Sequence, residues 1–374
     1  MFVLTLIVFL AYGALIITGI YSWKKADVQK AIKAGTPDPT AFFSVLVPFR
    51  NEAHNLPGLV EDLRNQSLPS QYWECIFIDD HSTDQGYDFL AGAGLPSHFR
   101  LMQSRGEGKK KAIVDGLEAA KGEYIVQTDA DCIHGSHWLE RLSTGLTGSD
   151  LLMVTGPVHI PGSEVLSIMD CFQAYELMAL MGMTQAGIQT GWWHLANGAN
   201  LAAHRSVYHF MQAAAPQDLY ASGDDLFLMQ AAVEMDQSRV EFLFDPAALV
   251  GTRPLKTITS FIQQRLRWGS KNNSLKDWKI KLALLIPILC ATTMVGMLIY
   301  SLVSDQAWPL TRNLWAGKIL LDYFYFRVLS PFFRWPVTPL IFISCSLIYP
   351  FYLLIIVLLS IFRRNYEWKG RLTR

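Results

Sequence analysis

The fold is decided by the stretch Gly122-Glu-Tyr-Ile-Val-Gln-Thr-Asp-Ala-Asp-Cys132, in which an apolar run leads into two carboxylates one residue apart. Residues 124–126 have the aromatic and β-branched character of a buried strand, which would end near Thr128. Asp129 and Asp131 would then stand at the carboxyl end of that strand, where open α/β sheets bind ligands. Such carboxylates suit Mg²⁺ or Mn²⁺. The alternative is an aspartate-rich turn that caps the next helix, which is the commoner arrangement for this motif alone.

Apolar strand patterns alternate with helical patterns on both sides of this stretch. Upstream, strands are predicted at 42–48, 74–80 and 99–103, and helices at 55–66 and 110–121. Downstream, strands are predicted at 151–158 and 195–203, and helices at 165–184 and 225–235. Strand–helix–strand alternation is the unit of a parallel sheet. We therefore expect an α/β domain with a mixed, mostly parallel, Rossmann-like sheet.

Several carboxylates follow the predicted strands at their carboxyl ends. They are Glu52, Asp79, Asp80, Asp129 and Asp131. The carboxyl ends of parallel strands share one edge of the sheet, so we expect these side chains to lie along that edge. Their shared placement supports a metal and ligand site more strongly than the Asp-X-Asp pattern alone.

The composition is that of a membrane protein, because 51% of residues are hydrophobic and only 17% are charged. Lys plus Arg and Asp plus Glu number 32 each, so no global basic field indicates nucleic acid binding. The five cysteines lack a Cys-X-X-Cys spacing, which indicates neither a zinc site nor a disulfide framework and fits a reducing compartment. The histidines, including His134, lack metal-ligand spacing and are expected in packing or surface roles.

Residues 1–23 form an apolar run long enough to cross a bilayer as an N-terminal transmembrane helix. Lysines follow this run, so by the positive-inside rule the domain at 24–256 faces the cytoplasm. An amphipathic interfacial segment is predicted at 257–280. The C-terminal membrane region, 281–374, contains predicted spans at about 282–303 and 337–362 and a basic tail. A multi-pass protein of the inner cell membrane is therefore expected.

The segment 314–335 is apolar but contains four charged residues. They are Lys318, Asp322, Arg327 and Arg334. Counting this segment as a span would place the basic C-terminus outside the cell, against the positive-inside rule. We therefore predict an interfacial or re-entrant helix here.

Six short motifs together resemble those of the inverting, membrane-bound glycosyltransferases of family 2. They are Val47-Pro-Phe-Arg-Asn-Glu52, Ile78-Asp-Asp-His-Ser-Thr-Asp84, Gly108-Lys-Lys-Lys-Ala112, Asp129-Ala-Asp131, Gly223-Asp-Asp225 and Gln264-Arg-Leu-Arg-Trp268. Each motif is weak alone, but they stand in the family's order. The resemblance covers residues 41 to about 270 and extends to ceramide glucosyltransferases and poly-N-acetylglucosamine synthases. It implies a GT-A-like fold.

The resemblance assigns the donor side of the site. Pro48, Glu52 and Asp80 are expected to form the nucleoside pocket. Lys109 is expected beside the diphosphate, with Lys110 and Lys111 as alternatives. Asp129 and Asp131 resemble the Asp-X-Asp pair that holds Mg²⁺ or Mn²⁺, with Asp131 preferred as the direct ligand.

The resemblance also assigns the catalytic base and a basic motif. Asp225 is the candidate base and Asp224 its neighbour, with helix capping as the alternative for both. Gln264, Arg267 and Trp268 match Gln-X-X-Arg-Trp, which in this family closes on the diphosphate and the acceptor.

These features lead us to expect a hexosyltransferase that uses a nucleotide-sugar, with UDP as the expected nucleotide. An inverting transfer needs one carboxylate base and no enzyme nucleophile. A lipid or other membrane-associated acceptor is preferred because polymerising members of the family usually have more spans. The C-terminal sequence from Tyr366 to Arg371 also resembles a tail of lipid-modifying members. A processive polysaccharide synthase and a catalytically inactive membrane scaffold are the alternatives.

Overall fold

A computed structural model describes residues 2–32, 41–147, 150–162, 167–214, 224–270, 277–362, 366–368 and 371–373. The chain forms two compact units. The sheet unit comprises Asp27–Pro161, His194–Arg253 and Trp368–Arg374, and the helical unit comprises Met1–Ala26, Gly162–Trp193 and Pro254–Glu367. The domain predicted at 24–256 is therefore interrupted, because its segment Gly162–Trp193 groups with the helical unit.

The strands are β1 (Phe43–Phe49), β2 (Trp73–Asp79), β3 (Phe99–Gln103), β4 (Tyr124–Gln127), β5 (Cys132–His134), β6 (Met153–Thr155), β7 (Val158–His159), β8 (Leu201–His204), β9 (Val240–Phe242), β10 (Val250–Thr252), β11 (Tyr366–Trp368) and β12 (Arg371–Thr373). The helices are α1 (Phe2–Ile32), α2 (Leu56–Arg64), α3 (Gly86–Gly92), α4 (Lys109–Ala119), α5 (Trp138–Thr147), α6 (Ile168–Thr190), α7 (Arg205–Ala214), α8 (Asp224–Asp236), α9 (Ile258–Ser270), α10 (Trp278–Ser301), α11 (Trp308–Phe333) and α12 (Pro339–Phe362).

The main sheet has the order β3-β2-β1-β4-β8-β6-β9. Strand β1 pairs in parallel with both β2 and β4, and every residue of β1 and β2 is buried. Continuous apolar strands of this kind belong to sheets that are covered on both faces. β8 runs antiparallel to β4 and β6. The predicted mixed, mostly parallel sheet is thus confirmed, and the order reverses at β1, which is where such sheets bind ligands.

A second sheet, with the order β5-β10-β7, lies beyond the end of β4. The strand predicted at 151–158 is two short strands, β6 and β7, which belong to different sheets. The strand predicted at 195–203 is reduced to β8 and preceded by a loop, which we call the 197–200 loop. Asn200 anchors this loop: its Nδ2 donates to the carbonyls of Pro157 and Ala248 at 2.9 and 2.8 Å.

Gly122 allows β4 to approach β1 closely. A Cβ atom at this position would lie 2.5 Å from the backbone nitrogen of Ser44. The backbone N–H of Gly122 instead donates to Ser44 Oγ at 2.8 Å. A larger residue would therefore push apart the two strands whose carboxyl ends carry the candidate site.

In the helical unit, α1, α10 and α12 are long and apolar enough to cross a membrane. Helix α11 packs along its length against them. Tyr12 of α1 donates a hydrogen bond to Asp322 of α11, and the ring of Trp23 stacks on Phe333. The later contact on α1 is also the later contact on α11, so the two helices run parallel.

Helix α12 lies antiparallel to α11. Trp315 of α11 stacks on Phe351, whereas Tyr323, two turns later, contacts the earlier Phe342. Thr311 at the start of α11 donates to the carbonyl of Met297 near the end of α10. In the helical unit, α11 is a continuous helix of 26 residues that contacts α1, α10 and α12.

Two of the charged residues on which the prediction of an interfacial helix rested, Lys318 and Asp322, are buried within the helical unit. Lys318 Nζ lies 2.7 Å from Asp322 Oδ2, and the two side chains are 5% and 8% exposed. The Tyr12 hydroxyl donates to Asp322 Oδ1 at 2.7 Å. An ion pair turned inward removes the charges from the outer surface of the helix. The position of α11 relative to the membrane stays a prediction.

Most of the remaining predicted elements agree with the structure to within a few residues, whereas α1 and α6 continue nine and six residues past their predicted ends and α11 begins six residues early. Strand β3 has the predicted limits, and the apolar positions of α2 are buried as the helical spacing predicts. The amphipathic segment 257–280 contains α9 and the first turn of α10, while 271–276 lie outside the described residues. All five cysteines are buried free thiols.

Candidate active site

Two loops at the carboxyl edge of the sheet, after β1 and β2, are fastened to each other. Asn51 and His81 both adopt a left-handed backbone with φ of 54°. Asn51 Oδ1 accepts a hydrogen bond from the backbone N–H of Thr83 at 2.7 Å. Arg50 Nη1 donates to the carbonyls of Asp80 and His81, each at 2.8 Å. These bonds hold the predicted nucleoside-binding residues on one rigid edge.

The predicted nucleoside pocket residues all lie at this edge and are buried. Pro48 is in β1. Glu52 accepts from Asn55 Nδ2 at 2.6 Å, and its carbonyl accepts from the backbone N–H groups that begin α2. Asp80 Oδ1 accepts from the backbone N–H of Gly108 at 2.7 Å. Asp80 thus ties the β2 edge to the loop before α4.

Gly108 and Lys109 connect this pocket to the Asp-X-Asp turn. Gly108 has a φ of 99°, a backbone conformation that favours glycine, and it immediately precedes α4. Lys109 opens α4, and its Nζ forms an ion pair with Asp129 Oδ1. The structure therefore brings together Asp80, Lys109 and Asp129, which the sequence selected from three separate motifs. Of the three lysines at 109–111, Lys109 reaches the carboxylate.

The Asp-X-Asp turn presents its carboxylates to solvent. The backbone turns at Asp129, whose carbonyl accepts from the N–H of Cys132 at 3.2 Å, and Ala130 points into the core. The side chains of Lys109 and Asp129 are 27% and 36% exposed, and Asp131 is exposed, so a ligand can reach all three. Neither aspartate caps α5, which begins at Trp138.

Among the described residues, no group of three or more His, Cys, Asp or Glu side chains forms a complete metal cage. Two carboxylates on an exposed turn instead fit a Mg²⁺ or Mn²⁺ ion that takes its other ligands from water and a substrate diphosphate. Oxygen donors are also the ligands these ions prefer.

Asp225 lies in the first turn of α8 and reaches a second loop of the sheet unit. Its Oδ2 accepts from the backbone N–H of Gly198 at 3.1 Å, and its Oδ1 accepts from the N–H of Leu226 at 2.9 Å. Its carboxylate is thus bonded outside its own helix, beyond what helix capping requires. Asp224 is the first residue of α8, and Gly223 lies outside the described residues.

The Gln-X-X-Arg-Trp motif lies on α9 in the helical unit, so its contribution to the site stays a prediction. Gln264, Arg267 and Trp268 are all half-buried. Sequence reasoning missed Arg265, which is one of the variable positions of the motif. Its guanidinium lies 4.1 Å from the ring centroid of Phe261 and 4.6 Å from that of Trp268.

Arg265 also organises polar groups on neighbouring helices. Its Nε donates to Glu176 Oε2 of α6 at 2.9 Å, and its Nη1 donates to Gln264 Oε1. The other Glu176 oxygen accepts from the hydroxyl of Tyr352 at 2.6 Å. The signal that could have found Arg265 is a charge among the apolar positions of an amphipathic helix.

Comparisons with known proteins show what part of this chain is similar to. Residues 44–206 match the model of Glycosyl transferase family 2. Glycosyltransferase AglE of Haloferax volcanii is 28% identical over 121 residues, which cover 32% of this chain and 40% of that protein. The undecaprenyl-phosphate 4-deoxy-4-formamido-L-arabinose transferase of Yersinia pestis (strain Pestoides F) is 31% identical over 109 residues, covering 28% and 33%. The chain thus matches less than half the length of either relative.

The fold is shared with a solved structure, the mannosyltransferase PcManGT from Pyrobaculum calidifontis in complex with GDP-Man and Mn²⁺. The TM-score is 0.57 at 18% identity, and the match covers 93% of this chain and 99% of that one. Residues 44–206 of the chain are therefore similar to Glycosyl transferase family 2, and the chain has a GT-A-like α/β fold. The narrower resemblance to ceramide glucosyltransferases and poly-N-acetylglucosamine synthases stays a prediction.

Proposed function

We propose that the protein transfers a sugar from a nucleoside diphosphate sugar to a hydroxyl of a lipid or membrane-associated acceptor, with inversion. The observation that carries this proposal is the line from Asp80 through Gly108 and Lys109 to Asp129 along one sheet edge. It combines a buried carboxylate for the nucleoside, a cation and an exposed carboxylate pair, which are the groups that a nucleotide diphosphate requires.

In the proposed reaction, Asp225 accepts the proton of the acceptor hydroxyl. The acceptor oxygen forms a bond to the anomeric carbon as the bond from that carbon to the diphosphate oxygen breaks. The products are the glycoside with inverted configuration, the nucleoside diphosphate and the protonated carboxyl of Asp225. Lys109 stabilises the charge that develops on the diphosphate. A Mg²⁺ or Mn²⁺ ion held by Asp129 and Asp131 would add positive charge at the same oxygens.

A membrane-associated acceptor is supported by two findings. Among the residues that the structure describes, three helices are long and apolar enough to cross a membrane. One relative is named for transfer involving undecaprenyl-phosphate, a lipid carrier. We propose that the protein is a multi-pass protein of the inner cell membrane, with the sheet unit on the cytoplasmic side as the positive-inside rule predicts.

The decisive experiment is a donor and acceptor screen with purified protein in detergent. UDP-glucose, UDP-N-acetylglucosamine and GDP-mannose are each supplied with Mn²⁺ and extracted membrane lipids, and lipid products are identified by mass spectrometry. We expect one sugar added per lipid. A long polysaccharide would instead identify a processive synthase, and absence of turnover and of nucleotide binding would favour the scaffold alternative.

The role of Asp225 is tested by Asp225→Asn. We expect transfer to fall at least about 1000-fold, because the carboxylate that removes the proton is lost, while the Kd for nucleoside diphosphate stays within about 3-fold. Asp236→Asn, at the opposite end of the same helix, is the matched control. Parallel loss of nucleotide binding in Asp225→Asn would argue against its role as the base.

A further inference from the structure

A buried histidine connects the Asp-X-Asp turn to the loop that holds Asp225. His134 lies on β5, three residues after Asp131, and is 5% exposed. Its ring packs on Trp138 with centroids 4.2 Å apart. Its Nε2 is 2.8 Å from Thr128 Oγ1, whereas its Nδ1 is buried and has no hydrogen-bond partner within the described ranges.

The direction of the bond between His134 and Thr128 follows from proton counting. Thr128 Oγ1 donates to the carbonyl of Ala199 at 2.9 Å. A hydroxyl has a single proton, so it cannot also donate to the ring. The contact is therefore donated by the ring, which identifies the neutral tautomer with its proton on Nε2. Burial lowers the pKa of His134 to about 3, so the ring is neutral at physiological pH.

These hydrogen bonds connect the two parts of the proposed site, the Asp-X-Asp turn and the loop that contacts Asp225. Thr128 directly precedes Asp129 of the metal-holding turn. Ala199 directly follows Gly198, whose N–H donates to the Asp225 carboxylate. The 197–200 loop is fixed from the other side by Asn200, which is fully buried. Thr128 is thus a direct link between the turn and an otherwise anchored loop.

We propose that His134 and Thr128 are positioning residues that set the distance between the metal-holding turn and the base Asp225. His134 holds the Thr128 hydroxyl in the one rotation that donates to Ala199, and Thr128 holds the loop against the turn. Neither residue touches the substrate. The inference rests on the proposed function, since it gives Asp225 and the Asp129–Asp131 pair their roles.

The proposal predicts a specific pattern among substitutions. His134→Leu and Thr128→Val keep the approximate volume and remove a donor. We expect both to lower kcat by about 10- to 100-fold, because small displacements of reacting groups have effects of this size. The KM for the donor should change by less than about 3-fold. His134→Gln retains an N–H donor at the reach of Nε2, and Thr128→Ser retains the hydroxyl, so both should recover most of kcat.

Coupling between the two residues is a second expectation. The double variant His134→Leu with Thr128→Val should be no slower than Thr128→Val alone, because both changes break the same link. His137→Leu is the matched control, since His137 is an exposed histidine nearby on the same segment. A merely structural role would lower thermal stability in proportion while leaving kcat of the folded fraction unchanged, and that result would overturn the proposal, as would additive effects.

A readout independent of turnover separates this proposal from the proposed function. Hydrogen exchange of the full-length protein in detergent, followed by mass spectrometry, reports on the backbone of the 197–200 loop. We expect faster exchange in Thr128→Val and His134→Leu but not in His134→Gln or His137→Leu. Unchanged exchange in Thr128→Val would refute the link even if the enzyme is active. Faster exchange in these two variants, together with an inactive wild type, would retain the link and reject the proposed function alone.

Discussion

Arg265 of α9 and Glu176 of α6 form a buried ion pair, with Nε and Oε2 2.9 Å apart and the Arg265 side chain only 6% exposed. The two residues are 89 positions apart in the chain. The pair therefore fixes the helix that carries the Gln-X-X-Arg-Trp motif to another helix of the same unit. Because Arg265 also bonds Gln264 and lies over Trp268, it holds two residues of the motif at once.

We expect Glu176→Gln to lower the free energy of unfolding by about 3 kcal/mol, since it leaves a buried guanidinium without its anion. Tyr352→Phe removes one hydrogen bond to the same carboxylate and should cost about 1 kcal/mol. Thermal unfolding in detergent measures the stability of both variants, and Glu176→Gln should be the less stable. Equal stability of Glu176→Gln and the wild type would show that water compensates the charge.

The Lys318–Asp322 pair in α11 allows a test by a pair of substitutions. Lys318→Met leaves Asp322 buried with only the Tyr12 hydroxyl, and we expect it to destabilise the helical unit by about 3 kcal/mol. Adding Asp322→Leu removes the unpaired charge and should recover most of that loss. Thermal unfolding in detergent measures both. A double variant less stable than Lys318→Met would contradict this account.

Lys109 is expected to act on the diphosphate rather than on the nucleoside. Lys109→Ala should raise the Kd for nucleoside diphosphate by about 10-fold, because a charge-assisted contact to phosphate is lost. The affinity for the nucleoside itself should be unchanged. Calorimetric titration measures both constants, and Lys111→Ala, an exposed lysine of the same helix, is the control. A similar loss in both variants would indicate a general effect of charge.

Metal removal tests the Asp-X-Asp turn. We expect a chelator to abolish transfer and either Mn²⁺ or Mg²⁺ to restore it. Asp131→Asn should need about 10-fold more metal for half-maximal activity, since one carboxylate ligand is weakened. Asp150→Asn, an exposed aspartate away from the sheet edge, is the control. Full activity in the presence of chelator would remove the metal from the proposed mechanism.

The buried His134 makes acid stability depend on one side chain. Its pKa is about 3 in the folded protein and 6.5 ordinarily, because burial disfavours the charged ring. Above pH 6.5 the ring is neutral in both the folded and the unfolded protein, so its titration does not change the free energy of unfolding there. As the pH falls below 6.5, the unfolded chain gains a proton that the folded protein does not, so folding stability decreases toward pH 3. His134→Gln should therefore unfold less readily than the wild type between pH 6 and 4, relative to their stabilities at pH 8.

The sequence was sufficient to predict the parallel core and the shared sheet edge at which the candidate donor-side residues lie. Strands β1, β2 and β4 are continuous apolar runs, and the residues that follow them share an edge by the geometry of parallel sheets. The apolar runs and the residues that follow them can each be recognised from a short segment of the sequence. The small sheet was not predictable, because strands of two or three residues have too short a pattern.

Features that depend on contacts between residues far apart in the chain could not be predicted from the sequence. His134 was expected to be a packing or surface residue, and its bond to Thr128 is meaningful only because Thr128 meets Ala199, 71 positions away. Arg265 has its role through Glu176, 89 positions away. The segment Gly162–Trp193 groups with the helical unit through α6, whose partners are on α11 and α12.

The burial of every cysteine has a practical consequence for chemical labelling. Maleimides react with exposed thiolates, and burial raises the pKa of the Cys75 and Cys132 thiols well above their ordinary value. A single cysteine introduced at the exposed Gln306, between α10 and α11, would then be the preferred target of a reagent in the otherwise native protein. Labelling intact cells with a membrane-impermeant maleimide would read out directly on which side of the bilayer that turn lies.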